Sequence, residues 1–149
     1  DPATAPDAVA IARETAKRQS AAFEAKGIGL QVTGSSGPLR VVGRADRLER
    51  VIANLIGNAL RHTVRGGRVV LQAGRKGDRL VMHVEDDGEG ISYSQQGRVF
   101  EPFAQVGNKR GGVGLGLALC KEIVLLHGGT IAVESAPGQG ARFTISLPL

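Results

Sequence analysis

The chain has 149 residues, 42% hydrophobic and 22% charged, with one cysteine and a formal net charge of +5. This composition is ordinary for a soluble globular domain with enough length for a real core, and a lone cysteine excludes an internal disulfide framework and suits a reducing compartment. No apolar run approaches the roughly 20 residues of a membrane helix, and the N-terminus, DPATAPDAVA, lacks the basic-then-apolar order of a secretory leader, so the cytoplasm is the expected compartment.

The positive charge invites a nucleic-acid reading, but aromatics make up only 3% of the chain, too few for base-stacking platforms. The basic residues Arg40, Arg44, Arg61, Arg65, Lys76 and Lys109 are scattered rather than gathered in a run. No nucleic-acid partner is expected.

In chain order, residues 7–25 have alanine-rich helical character and stop at Gly27. IGLQVTG and LRVVG read as two short strands on either side of the turn GSSGP. ADRLERVIANLIGNALRHT is the clearest helix, with Leu48, Ile52, Leu55 and Ala59 on one face, and it ends before Gly66 and Gly67. RVVLQAG and RLVMHVED make a strand pair around RKGD. Residues 92–110 are polar and glycine-rich with no clear period, and a loop of that length is usually functional; it reads as a lid. Residues 114–127 form another helix, closed by Gly128 and Gly129. TIAVESA and ARFTISL finish the chain as a hairpin across PGQG. Strands with helices inserted between them predict an α/β sandwich, and the last hairpin predicts a mixed sheet.

Three features carry chemistry. GGVGLGLALC places Gly111, Gly112, Gly114 and Gly116 in front of an apolar helix, although glycine costs a helix up to about 1 kcal/mol relative to alanine. Bare backbone at a helix N-terminus suits a phosphate, yet neither the P-loop nor the dinucleotide fingerprint fits. In VEDDGEGI, the alternation of Leu80, Met82 and Val84 carries Asp86 inward. A buried carboxylate there needs hydrogen-bond donors, from a ligand amine or from the turn itself. Asn54 and Asn58 share a helix face, with Arg61 and Arg65 continuing that edge, a set that suits a hydrated metal held against phosphates. Taken singly, each has a plain alternative: a tight helix start, an Asp-Gly turn, a polar helix edge.

Together the segments NLIGNALRHT, EDDGEGI, RVFEPFAQ, GGVGLGLALC and GQGARF resemble the ATP-binding domain of sensor histidine kinases, within the GHKL group that also holds gyrase, heat-shock chaperone and mismatch-repair ATPases. The likeness runs from about Arg47 to Leu149 and is looser before that. It implies a Bergerat fold, a two-layer α/β sandwich with a mixed, mostly antiparallel sheet of about five strands, about three helices and a flexible ATP lid. The whole of 1–149 would then be one catalytic domain, with 92–111 as lid.

The resemblance also implies roles. Asn58 matches the asparagine that ligates Mg²⁺, Asn54 its companion one turn earlier, and Arg61 a basic residue near the phosphates. His62 takes a position lining the nucleotide. Asp86 matches the aspartate that accepts from the adenine amino group, with Gly88, Gly90 and Ile91 in its loop. Arg98 matches a lid arginine, Phe100 and Phe103 the aromatic box of the lid. Gly112, Gly114, Leu115, Gly116 and Leu117 match the glycine box at the phosphates, and Gly138 and Gly140 the last such box.

In ATP-hydrolysing relatives a glutamate that activates water stands where this chain has Asn54, and an amide has no basic lone pair for that task. This favours a kinase over an ATPase. None of His62, His83 and His127 lies in a context like HELRTPL, the segment that bears the phosphorylated histidine. The acceptor is therefore expected on a separate dimerisation domain of a longer protein, one that passes its phosphoryl group to a response regulator and whose full-length relatives are often anchored in the inner membrane. Two alternatives stand beside this: a nucleotide-binding regulatory module without transfer activity, and a GHKL protein-serine kinase. RVFEPF and the terminal FTISLPL favour the histidine kinase.

Overall fold

A computed structural model describes residues 5–35, 37–102 and 116–149. In chain order the elements are α1 (Ala8–Lys26), β1 (Gly29–Gly34), α2 (Ala45–His62), β2 (Arg68–Lys76), β3 (Arg79–Asp86), a single-turn α3 (Tyr93–Gln96), α4 (Gly116–Leu126), β4 (Thr130–Ser135) and β5 (Ala141–Pro148). One five-stranded sheet runs in the order β1-β2-β3-β5-β4. β1 and β2 are parallel and every other pairing is antiparallel. The parallel pair follows from the chain passing through α2 between its two strands, whereas short turns join β2 to β3 and β4 to β5.

The period-two pattern places one face of the sheet inward. Leu71 pairs with Val84, and Val84 with Phe143; beside them Ala73 pairs with Met82, and Met82 with Ile145. All six are buried against Leu48, Ile52, Leu55, Ile56 and Ala59 of α2. Helix α2 is packed between α1 and α4. The other face of the sheet is polar. In register, Gln72 pairs with His83 and His83 with Thr144, and the His83 ring bonds the Thr144 hydroxyl at 2.8 Å.

Helix α1 is bounded as its sequence predicts. The Asp7 carboxylate accepts from the Val9 N–H at 3.1 Å, and Gly27 ends the helix in the left-handed region at φ 75. There the Ile28 N–H returns to the Phe23 carbonyl, the usual way of closing orphan carbonyls at a helix end.

LRVVG is not a strand. Leu39 and Val41 are buried and Arg40 and Val42 exposed, so the alternation is present, but the segment forms only a single bridge, Arg40 to Asp7. Its N–H groups go elsewhere: Leu39 donates to the Asp7 carboxylate and Val41 to the Pro6 carbonyl. The segment lies along the entrance to α1 rather than on a sheet edge. The loop expected over 92–110 also contains structure, since residues 93–96 make the turn of α3.

Candidate functional site

Strand β3 ends at Asp86, and its pleat turns the carboxylate inward, where the residue is 6% exposed. Burial pushes the Asp86 carboxyl above its ordinary range, opposed by hydrogen bonds from the Gly88 and Ala141 backbone and by the nearby His62 ring. Oδ1 accepts from the Gly88 N–H at 2.9 Å. The adjacent Asp87 turns outward and accepts instead from the Arg68 N–H at 2.9 Å. One step of the pleat thus separates a sheltered carboxylate from a turn-forming one.

The loop after Asp86 is held so tightly that its glycines are required. A Cβ on Gly88 would sit 2.0 Å from the His62 carbonyl oxygen, and one on Gly90 would sit 2.1 Å from that of Ala136. Across the sheet edge, a Cβ on Gly140 would lie 2.0 Å from the Asp86 carbonyl oxygen. The Glu89 N–H reaches the His62 carbonyl at 3.3 Å, and the Gly138 N–H reaches the Glu89 carbonyl at 2.7 Å. Ile91 is buried, its N–H bonded to Ser135 Oγ at 2.8 Å. Three predicted segments, the end of α2, the 86–91 loop and the 136–140 turn, therefore meet at one place.

Helix α2 supplies the side chains of the other end. Asn58 is 5% exposed, on the helix face beside the apolar stripe. Asn54, one turn earlier, donates to the Gly116 carbonyl at 3.4 Å and so links α2 to the first residue of α4. Next to it, burial pushes the Cys120 thiol up to about 12, a hydrogen bond with Asn54 lowering it in part; that thiol is a packing group, not a nucleophile. Arg61 is exposed at the end of α2. His62, the last residue of that helix, places Nδ1 at 2.8 Å from Glu89 Oε1.

Beyond the loop, Arg98 lies on the surface, paired with Glu101 at 3.4 Å. Phe100 packs edge-on to Phe143 with ring centroids 6.0 Å apart, and Lys121 Nζ lies 5.9 Å from its centroid. Leu117 is buried in α4. Phe103, Gly112, Gly114, Leu115 and the rest of the expected lid from residue 103 onward lie outside the described residues. Glu89 was not singled out in the sequence, where it reads as the variable residue of a turn. Its contact with His62 joins residues far apart in the chain, and no local pattern announces it.

The arrangement has a sheltered acceptor and fixed backbone at one end, and amides with a cation at the other. That division suits a ligand with a hydrogen-bonding heterocycle and a polyanionic tail. Among the described residues no cluster of three or more His, Cys, Asp or Glu is placed to hold a metal by itself. A metal here would need ligand oxygens from the bound molecule.

Residues 43–149 match the family described as histidine kinase-, DNA gyrase B-, and HSP90-like ATPase. The chain is 59% identical over 127 residues to the alginate biosynthesis sensor protein KinB of Pseudomonas aeruginosa, covering 85% of this chain and 21% of KinB. It is 45% identical over 113 residues to the circadian input-output histidine kinase CikA of Synechococcus elongatus, covering 72% of this chain and 15% of CikA. The chain thus spans about a fifth or less of the length of these curated relatives. Among solved structures, the mycobacterial sensor histidine kinase MprB superposes with a TM-score of 0.87 at 29% identity, covering 96% of both chains. Full-length ShkA in complex with AMPPNP superposes with a TM-score of 0.86 at 31% identity, covering 97% of this chain and 30% of that one.

Proposed function

The chain belongs to the family of histidine kinase-, DNA gyrase B-, and HSP90-like ATPases, as an ATP-binding catalytic domain of the sensor histidine kinase kind, and from that premise we propose how its residues handle the nucleotide. Asp86 receives the adenine amino group. The observation that carries this is the inward carboxylate at the end of β3, sheltered and held from behind by the Gly88 N–H. An acceptor there favours adenine, whose exocyclic group donates, over guanine, whose corresponding oxygen does not. His62, Gly88, Gly90 and Ile91 complete the adenine end. The resemblance adds Phe100 and Phe103 as the aromatic box of the lid, and Leu115 and Leu117 beside the glycines of the phosphate box.

Asn58, Arg61 and Arg98 belong to the phosphate end, with Gly112, Gly114 and Gly116 offering backbone N–H groups to the anion. Asn58 Oδ1 is a hard amide oxygen and fits Mg²⁺, which accepts one or two protein oxygens and fills its shell with phosphate and water. Bound there, Mg²⁺ would neutralise charge on the β- and γ-phosphates. Asn54 carries no basic group to activate water, and its amide is engaged with Gly116. The chain's own part is therefore to orient the triphosphate, screen it and withhold a base, leaving the γ-phosphoryl for an incoming imidazole. That imidazole belongs to a histidine on a dimerisation domain, and a response regulator receives the phosphoryl group next. No described helix is long and apolar enough to cross a membrane; we place this domain on the cytoplasmic side, where ATP is available.

Calorimetric titration with a non-hydrolysable ATP analogue and Mg²⁺ tests the reading. Binding by the parent chain that falls at least tenfold in Asp86→Asn supports it, because Asn Oδ1 would accept from Gly88 and turn its NH₂ donor toward the adenine amino group. Undiminished binding by Asp86→Asn would place adenine elsewhere. Labelling of an added histidine-bearing domain from γ-labelled ATP tests the transfer step.

A further inference from the structure

We propose that Glu89 is a positioning residue of the nucleotide site, acting through His62. Its carboxylate holds the imidazole, and with it the 86–90 loop, in the arrangement that receives the adenine. The proposal rests on the nucleotide reading given above and goes beyond it, since nothing in that reading requires Glu89.

Four observations converge. The Nδ1–Oε1 contact is 2.8 Å, with side-chain exposures of 13% for His62 and 29% for Glu89, so the pair is sheltered from the screening that makes surface pairs weak. The same two residues are joined through the backbone, the Glu89 N–H donating to the His62 carbonyl at 3.3 Å. That carbonyl is in the last turn of α2, where no helical donor remains. The neighbouring carbonyls of Leu60 and Arg61 accept from Lys26 Nζ, whereas His62 receives its donor from the loop. Finally, the Glu89 carbonyl accepts from the Gly138 N–H at 2.7 Å, tying the loop to the turn on its far side.

The chemistry follows from the acceptor. A carboxylate has no proton to give, so Nδ1 of His62 must carry one and the ring is fixed in tautomer and orientation. Nε2 is then left for other partners. The ring is also close enough to Asp86 to oppose the effect of burial on that carboxyl. Glu89 therefore orients a group that acts electrostatically on the Asp86 carboxyl. Without Glu89, the imidazole must be ordered at the moment of binding, and affinity falls for entropic reasons.

The experiment is a double-mutant cycle on the chain, read by calorimetry with Mg²⁺ and a non-hydrolysable ATP analogue. Glu89→Ala is expected to weaken binding about 3- to 10-fold, the size of one ordinary net hydrogen bond, in a chain that still unfolds cooperatively. Glu89→Gln, which keeps an acceptor oxygen, recovers most of the loss. His62→Ala weakens binding as well, and the double variant is no weaker than His62→Ala alone. Affinity in Glu89→Ala equal to the parent's, or losses that simply add in the double variant, would overturn the proposal while leaving the nucleotide site standing. A parent chain that does not bind the analogue would overturn both.

Discussion

The two ends of the candidate site are built by different means. At the proposed adenine end, backbone closes on backbone: Gly88 against the His62 carbonyl, Gly90 against Ala136, Gly140 against Asp86, with no room for a Cβ at any of them. At the proposed phosphate end the groups are side chains, from Asn54 and the buried Asn58 on α2 to Arg61 and Arg98 in solvent. Gly116, the described glycine of that end, has its nearest described neighbour for a Cβ, Asn54 Cγ, at 3.8 Å. A glycine at the first end answers to the fold. At the second, Gly116 meets no such packing barrier.

Gly140→Ala should break the comparison most severely. Its φ is +76, and the added methyl would overlap the Asp86 carbonyl. Left-handed strain of roughly 1–2 kcal/mol joins an overpacking cost of about 1–3 kcal/mol. The variant should lose about 2–5 kcal/mol in denaturant unfolding and lose nucleotide binding with it. A variant of parental stability would mean that the 136–140 turn moves freely, and that the adenine end is not preformed.

Asp86→Asn separates stability from binding at the same end. Burial raises the folded-state pKa of Asp86, so the folded protein holds that proton more tightly than the unfolded chain. The stability tied to this group is fully present below the unfolded-state value and is lost as pH rises through the raised folded value. At neutral pH the buried charge is a burden. Asp86→Asn should therefore unfold at higher denaturant concentration than the parent at pH 7, the gap closing toward acid pH, while its nucleotide affinity falls. Equal midpoints across that range would mean that the Gly88 and Ala141 hydrogen bonds offset the burial completely.

The same contrast explains what could be read from the chain. The sheet, α1 and α2 were legible because each rests on a local period with punctuation at its ends: Leu80, Met82 and Val84 alternate into Asp86, Leu48 to Ala59 keep one helical stripe, and Gly27 ends α1. The tight 86–91 loop was legible for a related reason, since Asp86, Gly88 and Gly90 lie in a single motif. LRVVG misled because alternation reports burial, not pairing, and its N–H groups are taken by Asp7 and Pro6. Glu89 was illegible because its partner, His62, belongs to another element and only the fold brings them together. The roles at the phosphate end rest on resemblance, because a solvated arginine has no local pattern that distinguishes it from any other.

Asn58→Ala should have a smaller effect than either adenine-end change. If its amide oxygen is a ligand to Mg²⁺, the variant loses affinity for the analogue on the order of tenfold, about 1.4 kcal/mol. Chelating the metal with EDTA should weaken the parent chain and have little further effect on the variant. Equal EDTA sensitivity in the two would remove Asn58 from the metal's shell and leave the phosphates as its principal ligands.

Gly116→Ala is the mildest change and sharpens the comparison most. Residue 116 opens α4, and alanine is favoured over glycine within a helix by up to about 1 kcal/mol. With 3.8 Å to the nearest described atom, the methyl meets only ordinary contact. The variant should fold as well as the parent or slightly better, in contrast to Gly140→Ala. Any cost must then appear through the ligand. If phosphate lies against bare backbone at the start of α4, affinity for the ATP analogue falls while affinity for adenosine, which carries no phosphate, is unchanged. Equal losses for both ligands would mean that the methyl disturbs the adenine end through α4. No loss for either would place the triphosphate away from residue 116, nearer the arginines than the helix start.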